Sequence, residues 1–459
     1  MSAIDTTPAA VDTARLNRTE LGLAERIVAT HGHRMRWVDV WGKWLLWDGR
    51  RWVPDDRLEH VELAKRVVRS IYLEAADEPD EAKRAALADF ARGCEKAAKI
   101  EAALRLARAS LAVVPEDLDA DPWVLNTPSG VVDLRTGEVL PHEPERLITK
   151  ITGADFDPAA ASDLWAGFLD RIFAGDADLI GFVRRAMGYA ATGSTREHVV
   201  LIAHGGGANG KSVLVDACCA ALGDYATRAD PELLLTDGWS NHPTGVADLK
   251  GARLAVCSET DQGRGFAEAR LKNLTGETRM KARRMRQDFF EFEATHTLLV
   301  QTNHLPDVRG DDLGVWRRIR LIPFGVTIPP AERDHQLGAK LAEHHLPAVL
   351  AWIVAGAREW MASGLAEPET VREATRQYRR DSDTLGRFLE DRCERGEGRV
   401  EMARRLYGAY IDWWSEPGVK PLSEVKFAKA MGARGLHKKR GAAGVCYHGV
   451  TLAGEGVTP

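Results

Sequence analysis

The spacing of apolar residues changes several times along the chain, and each change predicts a different kind of element. The first twenty or so residues are rich in Ala, Thr and Asp with little periodicity and read as a tail. From Arg34 to Pro54, short apolar runs carry Trp37, Trp41, Trp44, Trp47 and Trp52. Gly42-Lys43 and Asp48-Gly49 separate those runs, the latter a dipeptide suited to a tight hairpin turn, so a small β-meander is predicted. Burial in a compact aromatic core accounts for these rings better than stacking on bases does. Leu58 to about Ala76 and Pro79 to about Leu111 repeat Ala, Leu, Val and Ile every three or four residues with charges between, the pattern of amphipathic helices. Asp121 to Lys150 reads as short strands and turns, and Asp163 to Thr192 returns to helix.

His198 to Ala203 is a nearly continuous, β-branched apolar run, as in a buried parallel strand. Two more such strands are predicted at Arg253–Cys257 and Thr297–Thr302, and a strand-like Leu321–Phe324 follows. The strand ending at Glu259 is expected to lie beside the first. Beyond Thr384 the text predicts helices at Leu385–Cys393, Met402–Trp414 and about Ser423–Gly435, then a strand-like Val445–Tyr447. The expected divisions are a tail at 1–20, a helical and β-meander domain at 21–195, a parallel-strand domain at 196–380 and a basic module at 381–459.

Composition narrows this only a little. A chain of 459 residues, 44% hydrophobic and 28% charged, is long enough for about three globular units. The six cysteines form no CxxC pair, which argues for reduced thiols and no structural zinc. Leu346–Ala357 is too short to span a bilayer, and Met1–Pro8 lacks the order of a signal peptide, so a cytoplasmic protein of a bacterial host cell, with no membrane partner, is expected. The formal charge of −5 gives no overall attraction for nucleic acid, so any such contact must be local.

The chemistry concentrates between His198 and Phe324. Gly205, Gly206, Gly207, Ala208, Asn209, Gly210, Lys211 and Ser212 fit G-x-x-x-x-G-K-[ST], with a strand before them and the helix Val213–Leu222 after. Glycines there let successive N–H groups curl around a phosphate, and the helix N-terminus adds positive potential. Lys211 would reach the β- and γ-phosphates of ATP, and the Ser212 hydroxyl would ligate Mg²⁺. Glu259 follows the second strand, where an acid can hold the metal or polarise the attacking water. Asn303 ends the third strand and can hydrogen-bond the γ-phosphate or water. Arg317 and Arg318 precede the last strand, from where one of them could neutralise transition-state charge in a neighbouring subunit. Arg279, Lys281, Arg283, Arg284 and Arg286 then place five cations within eight residues, with no acid among them, ahead of Phe289-Phe290-Glu291-Phe292. That pattern suggests a hairpin carrying cations toward phosphates.

Together these motifs resemble a superfamily 3 helicase of the AAA+ class, most closely the phage and plasmid primase–helicase branch. The resemblance rests on the Asn-Gly-Lys-Ser ending of the glycine loop, Glu259, Leu271–Gly276 with the basic hairpin, Thr302-Asn303-His304-Leu305-Pro306 and Trp316-Arg317-Arg318. It extends upstream through Trp123–Pro128, Gly130–Leu134 and Gly188-Tyr189-Ala190. It implies an α/β fold: a P-loop motor core, a mainly helical N-terminal domain and a winged-helix-like C-terminal domain. It further implies a homo-hexameric ring that hydrolyses ATP between subunits and moves 3′ to 5′ on single-stranded and forked DNA, working with a separate primase or other replication proteins. By motif, Lys211 and Ser212 bind nucleotide and Mg²⁺, Glu259 is the catalytic acid, Asn303 the sensor, and Arg318 or Arg317 the residue acting in trans. Lys281, Arg283 and Arg284 would line the channel. Lys426, Lys429, Arg434 and the run Lys438, Lys439, Arg440 would touch DNA from the C-terminal module. One departure is that Ser258 precedes a single Glu259 where the family often has adjacent acids. The rival readings are an origin-binding AAA+ remodeller that does not unwind processively, and a small-molecule kinase, which has no use for a cationic hairpin.

Overall fold

The computed structural model describes residues 16–236, 244–258, 265–284, 288–308, 312–414, 421–441 and 444–454. Helix α1 (Glu20–His31), unforeseen from the sequence, starts at Thr19, whose hydroxyl accepts from the Gly22 amide at 3.2 Å. The meander follows as β1 (Met35–Val38), β2 (Lys43–Trp47) and β3 (Trp52–Pro54), antiparallel in the order β1-β2-β3. The Asp48 carboxylate accepts from the Arg50 and Arg51 amides and closes the β2–β3 turn. Trp37 and Trp44 pack into the core of α1 with α2 (Glu59–Asp77), α3 (Glu81–Cys94) and α4 (Ala97–Ser110). The single apolar pattern from Pro79 to Leu111 is thus two helices, broken where Lys96 is extended.

β4 (Val124–Thr127), β5 (Gly130–Asp133) and β6 (Val139–Leu140) form a second small antiparallel sheet. Asn126 pins it from within: its buried amide donates to the carbonyls of Arg50 at 3.1 Å and Lys150 at 2.9 Å. Helices α5 (Asp163–Ile172) and α6 (Ala177–Ala191) come next.

A parallel sheet with crossover connections occupies the centre. Its strands are β7 (Val200–His204), β8 (Ala226–Ala229) and β9 (Leu254–Ser258), with α7 (Lys211–Leu222) after β7 and the short α8 (Thr244–Ala247) before β9. Helix α9 (Glu268–Gly276) leads into the hairpin β10 (Arg279–Ala282) and β11 (Phe290–Glu293). The sheet is completed by β12 (Thr297–Thr302) and, after the short α10 (Leu313–Trp316), β13 (Ile319–Pro323), in the order β13-β7-β12-β9-β8. β9 therefore does not lie beside β7 as expected. β12, the later strand in the chain, is inserted between them and pairs with both.

One apolar core lies against α5, α6 and α7 and continues onto α12 (Leu346–Ser363), which follows the short α11 (Leu337–Lys340). The expected boundary at 195 runs through this core, because α5 and α6 pack with the sheet domain. A second core fills the other face of the sheet beneath α9 and the hairpin, and Tyr378 of α13 (Glu369–Ser382) joins it. The C-terminal module has α14 (Thr384–Arg392), β14 (Cys393–Met402), α15 (Ala403–Trp413), α16 (Glu424–Ala433), β15 (Lys438–Gly441) and β16 (Gly444–Leu452), with sheet order β14-β16-β15. β14 was not anticipated, because its exposed, charged sequence lacks an apolar run. No helix among the described residues is long and apolar enough to cross a membrane.

α6 and α12 meet through a reciprocal pair of glycines. A Cβ on Gly188 would overlap the backbone of Gly356 and Ala357, and one on Gly356 would overlap the backbone of Arg184. Gly188→Ala should therefore destabilise the chain by about 1–3 kcal/mol. A thermal melt checks this: an unchanged midpoint would mean that the helices separate freely at this contact.

Candidate functional site

The C-terminal ends of parallel strands leave their side chains at one edge of the sheet, where crossover connections open a crevice. At that edge the loop after β7 turns through left-handed backbone at Gly207 (φ 97°), Ala208 (φ 48°) and Gly210 (φ 83°) before α7 begins at Lys211. Ala208 is the costly member, since a Cβ disfavours that region. Lys211 is buried at 4% exposure. Its ammonium donates to the Gly205 carbonyl at 2.6 Å, to Asn209 Oδ1 at 3.1 Å and to Asn303 Oδ1 at 2.9 Å. Burial lowers its pKa below the ordinary lysine value. Asn209 is buried, and its own amide donates to the Phe324 carbonyl at 3.4 Å. The loop residues from Gly207 to Ser212 together with Gln301, Thr302 and Asn303 line a cleft of about 280 Å³.

The structure thus brings Lys211, Ser212 and Asn303 together. Glu259 lies outside the described residues, but Ser258, the last residue of β9, is paired in register with Gln301 at the same sheet edge. Sequence reasoning missed Gln301, whose amide donates to the Ser212 hydroxyl at 2.7 Å. The signal was available: Gln301 sits two residues before Asn303 at the C-terminal end of the same predicted strand, the end that borders the crevice. It also missed Arg228 on the edge strand β8, which donates to Ser258 Oγ at 3.1 Å and pairs with Asp216 of α7. No linear pattern links those residues.

The paired arginines separate clearly. Arg318 is buried, donating from Nε to Thr275 Oγ1 at 3.0 Å and from Nη1 to the Gly314 carbonyl at 2.6 Å. These bonds join α9 to α10 within its own chain. Arg317 is exposed.

The basic run does form a hairpin. Met280, Ala282 and Phe292 turn into the core, while Arg279 and Lys281 face outward opposite Glu293 and Glu291. The run is therefore partly balanced across strands, which a linear reading hides. Arg283 and Arg284 lie beyond the paired positions and are exposed, and Arg286 lies outside the described residues. In the C-terminal module Lys438, Lys439 and Arg440 are exposed along β15, and Lys438 also lies 3.8 Å from Glu424. Arg434, also expected on DNA, pairs with Asp383 at 2.5 Å. Lys426 and Lys429 are exposed but line a cleft of about 610 Å³ between this module and the sheet domain.

Three family models match separate parts of the chain: "D5 N terminal like" over residues 24–174, a family of unknown function (DUF5906) over 203–318, and "Poxvirus D5 protein-like" over 380–437. Relatives named "Putative helicase" are L207/L206 of Acanthamoeba polyphaga mimivirus, 24% identical over 60% of this chain and 31% of its own length, and 022R of Frog virus 3, 28% identical over 51% and 26%. C962R of African swine fever virus, named "Putative primase", is 23% identical over 65% of this chain and 34% of its own. The chain resembles a viral helicase–primase family. It spans between about a quarter and a third of the length of these relatives. Among solved structures, an apo form of the NrS-1 C-terminal region matches 95% of this chain and 100% of its own at a TM-score of 0.51 and 10% identity, a likeness of fold.

The hairpin is tied to α9 by His296, at the entry to β12. Its Nε2–H donates to the Leu274 carbonyl at 3.1 Å, its Nδ1 is buried without a partner, and burial pushes its pKa down to about 4. Because the unfolded chain binds the proton first, stability from the neutral ring is complete above about 6.5 and is lost as pH falls toward 4. The thermal midpoint of the native chain should therefore drop more steeply over that window than that of His296→Gln, whose amide keeps the donor. Parallel slopes in melts across pH would refute this.

Proposed function

We propose that the chain is an ATP-dependent DNA helicase motor of the superfamily 3, AAA+ type acting in replication. The observation that carries the reading is the buried Lys211 ammonium, held with Asn303 at the C-terminal edge of a parallel sheet beneath a left-handed glycine loop. A buried cation surrounded by neutral oxygens suits an incoming phosphate, which would replace protein acceptors with full negative charge. The strand order, with the Asn303 strand between the Lys211 and Glu259 strands, supports the same class of motor. So do the helicase and primase names of the viral relatives.

In this reading ATP lies in the cleft, its phosphates on the loop amides and Lys211. Ser212 and Glu259 would hold Mg²⁺, and the ion would supply charge neutralisation at the transferring phosphoryl group. Gln301 donates to the Ser212 hydroxyl and so orients its oxygen at the edge of the cleft. Asn303 shifts its carboxamide from Lys211 toward the γ-phosphate or the attacking water. Arg317, exposed where Arg318 is committed, reaches the site of an adjacent subunit in a homo-hexameric ring. The exposed hairpin cations and the β15 cations contact DNA phosphates.

Lys211→Ala should reduce ATP hydrolysis to background, and full turnover in that variant would remove the nucleotide site. Arg317→Ala should bind ATP yet lose at least about a thousandfold in turnover. Mixing the two inactive variants should recover activity, because some interfaces then pair an intact Lys211 with an intact Arg317. Failure of every mixture would argue against action in trans. A strand-displacement assay on 3′- and 5′-tailed duplexes, expected to favour the 3′ tail, tests unwinding itself. DNA-stimulated hydrolysis without displacement would instead support a remodeller.

A further inference from the structure

Trp41 stands apart in the tryptophan run. Trp37, Trp44 and Trp52 are buried, but Trp41 keeps 42% of its surface exposed. It ends the short turn between β1 and β2, just before Gly42, whose φ of 61° reverses the chain. The ring is not held by the meander's core, yet it is not isolated. The Lys250 ammonium lies 5.7 Å from the Trp41 ring centre and 5.4 Å from that of Phe290 on β11. One cation is therefore shared between the N-terminal meander and the basic hairpin, elements far apart in sequence. Burial lowers the Lys250 pKa, nearby Arg284 acts in the same direction, and Glu116 opposes them.

The neighbouring hairpin tip repeats the arrangement. Phe289 is 53% exposed, with the Arg283 guanidinium 5.1 Å from its ring centre. Partly exposed flat rings interleaved with cations match the repeat of a single strand, in which each base offers a π-face and each linkage a negative charge. A duplex hides those faces in its stack, so the pattern selects the single strand. We propose that Trp41 and Lys250 extend the hairpin tip into a composite binding site for single-stranded DNA, a base stacking on Trp41 while its phosphate meets Lys250 and Arg284. This rests on the helicase reading only insofar as both place a single strand at the hairpin.

The test is fluorescence anisotropy of a labelled oligothymidylate with the full chain, at several salt concentrations. Trp41→Ala should weaken binding about tenfold and Trp41→Phe should recover most of it. Lys250→Ala should weaken binding and reduce the slope of log affinity against log salt by about one, and Lys250→Arg should restore both. Thermal melts accompany each variant. Unchanged affinity in Trp41→Ala overturns the proposal. So does a loss of affinity that tracks a lowered melting midpoint, with Trp41→Phe repairing the midpoint but not the binding, since the ring would then only seal the meander against the hairpin. A double Arg283→Ala, Arg284→Ala variant separates the two readings. If it loses binding while Trp41→Ala does not, the hairpin contact stands and the composite site falls. If the native chain binds no single strand, both fall.

Discussion

A lysine ammonium with almost no exposure must be surrounded by oxygen, and the three oxygens around Lys211 come from two separate parts of the chain. Gly205 offers a carbonyl from the loop backbone, Asn209 a side-chain oxygen from the same loop, and Asn303 one from the end of β12. The third exists only because β12 is inserted directly beside β7. Had β9, the strand leading to Glu259, paired with β7 directly, it would occupy that place and Asn303 would lie one strand farther off. The sheet order is thus a requirement of the buried cation as much as a consequence of packing. Leaving such a charge unpaired would cost several kcal/mol.

The same constraint organises the rest of the sheet domain. The left-handed turns at Gly207, Ala208 and Gly210 bring the loop back over the strand ends, and α7 starts at the lysine itself. Behind them, α6 and α12 approach closely enough that Gly188 and Gly356 leave no room for a methyl group. On the opposite face, Arg318 spends its hydrogen bonds holding α9 to α10, which sets the base from which the hairpin projects. The neighbouring Arg317 is left exposed. Two adjacent, chemically identical side chains thus have different surroundings, one buried and bonded, the other exposed.

Much of this organisation was legible in the residues. The tryptophan-rich meander, the amphipathic helices, the strands of the central sheet, the glycine loop with its lysine and the hairpin all follow from periodicity, turn chemistry and motif spacing, which depend on neighbours in the chain. What could not be read depends on neighbours in space. The insertion of β12, the core shared by α5, α6 and the sheet, the acids facing Arg279 and Lys281 across the hairpin, and the pairing of Arg434 with Asp383 are all long-range choices. β14 escaped because pairing with β16, not its own pattern, makes it a strand.

The sequence by itself therefore determined which residues have the chemistry to hold phosphate and to present positive charge, because that information lies in residue type and local spacing. Only the tertiary structure decided which of them stay available. It buried Arg318 and freed Arg317, joined Gln301 to Ser212, and set Lys250 between Trp41 and Phe290. Availability is a matter of burial and partners, and both are supplied by segments distant in the chain.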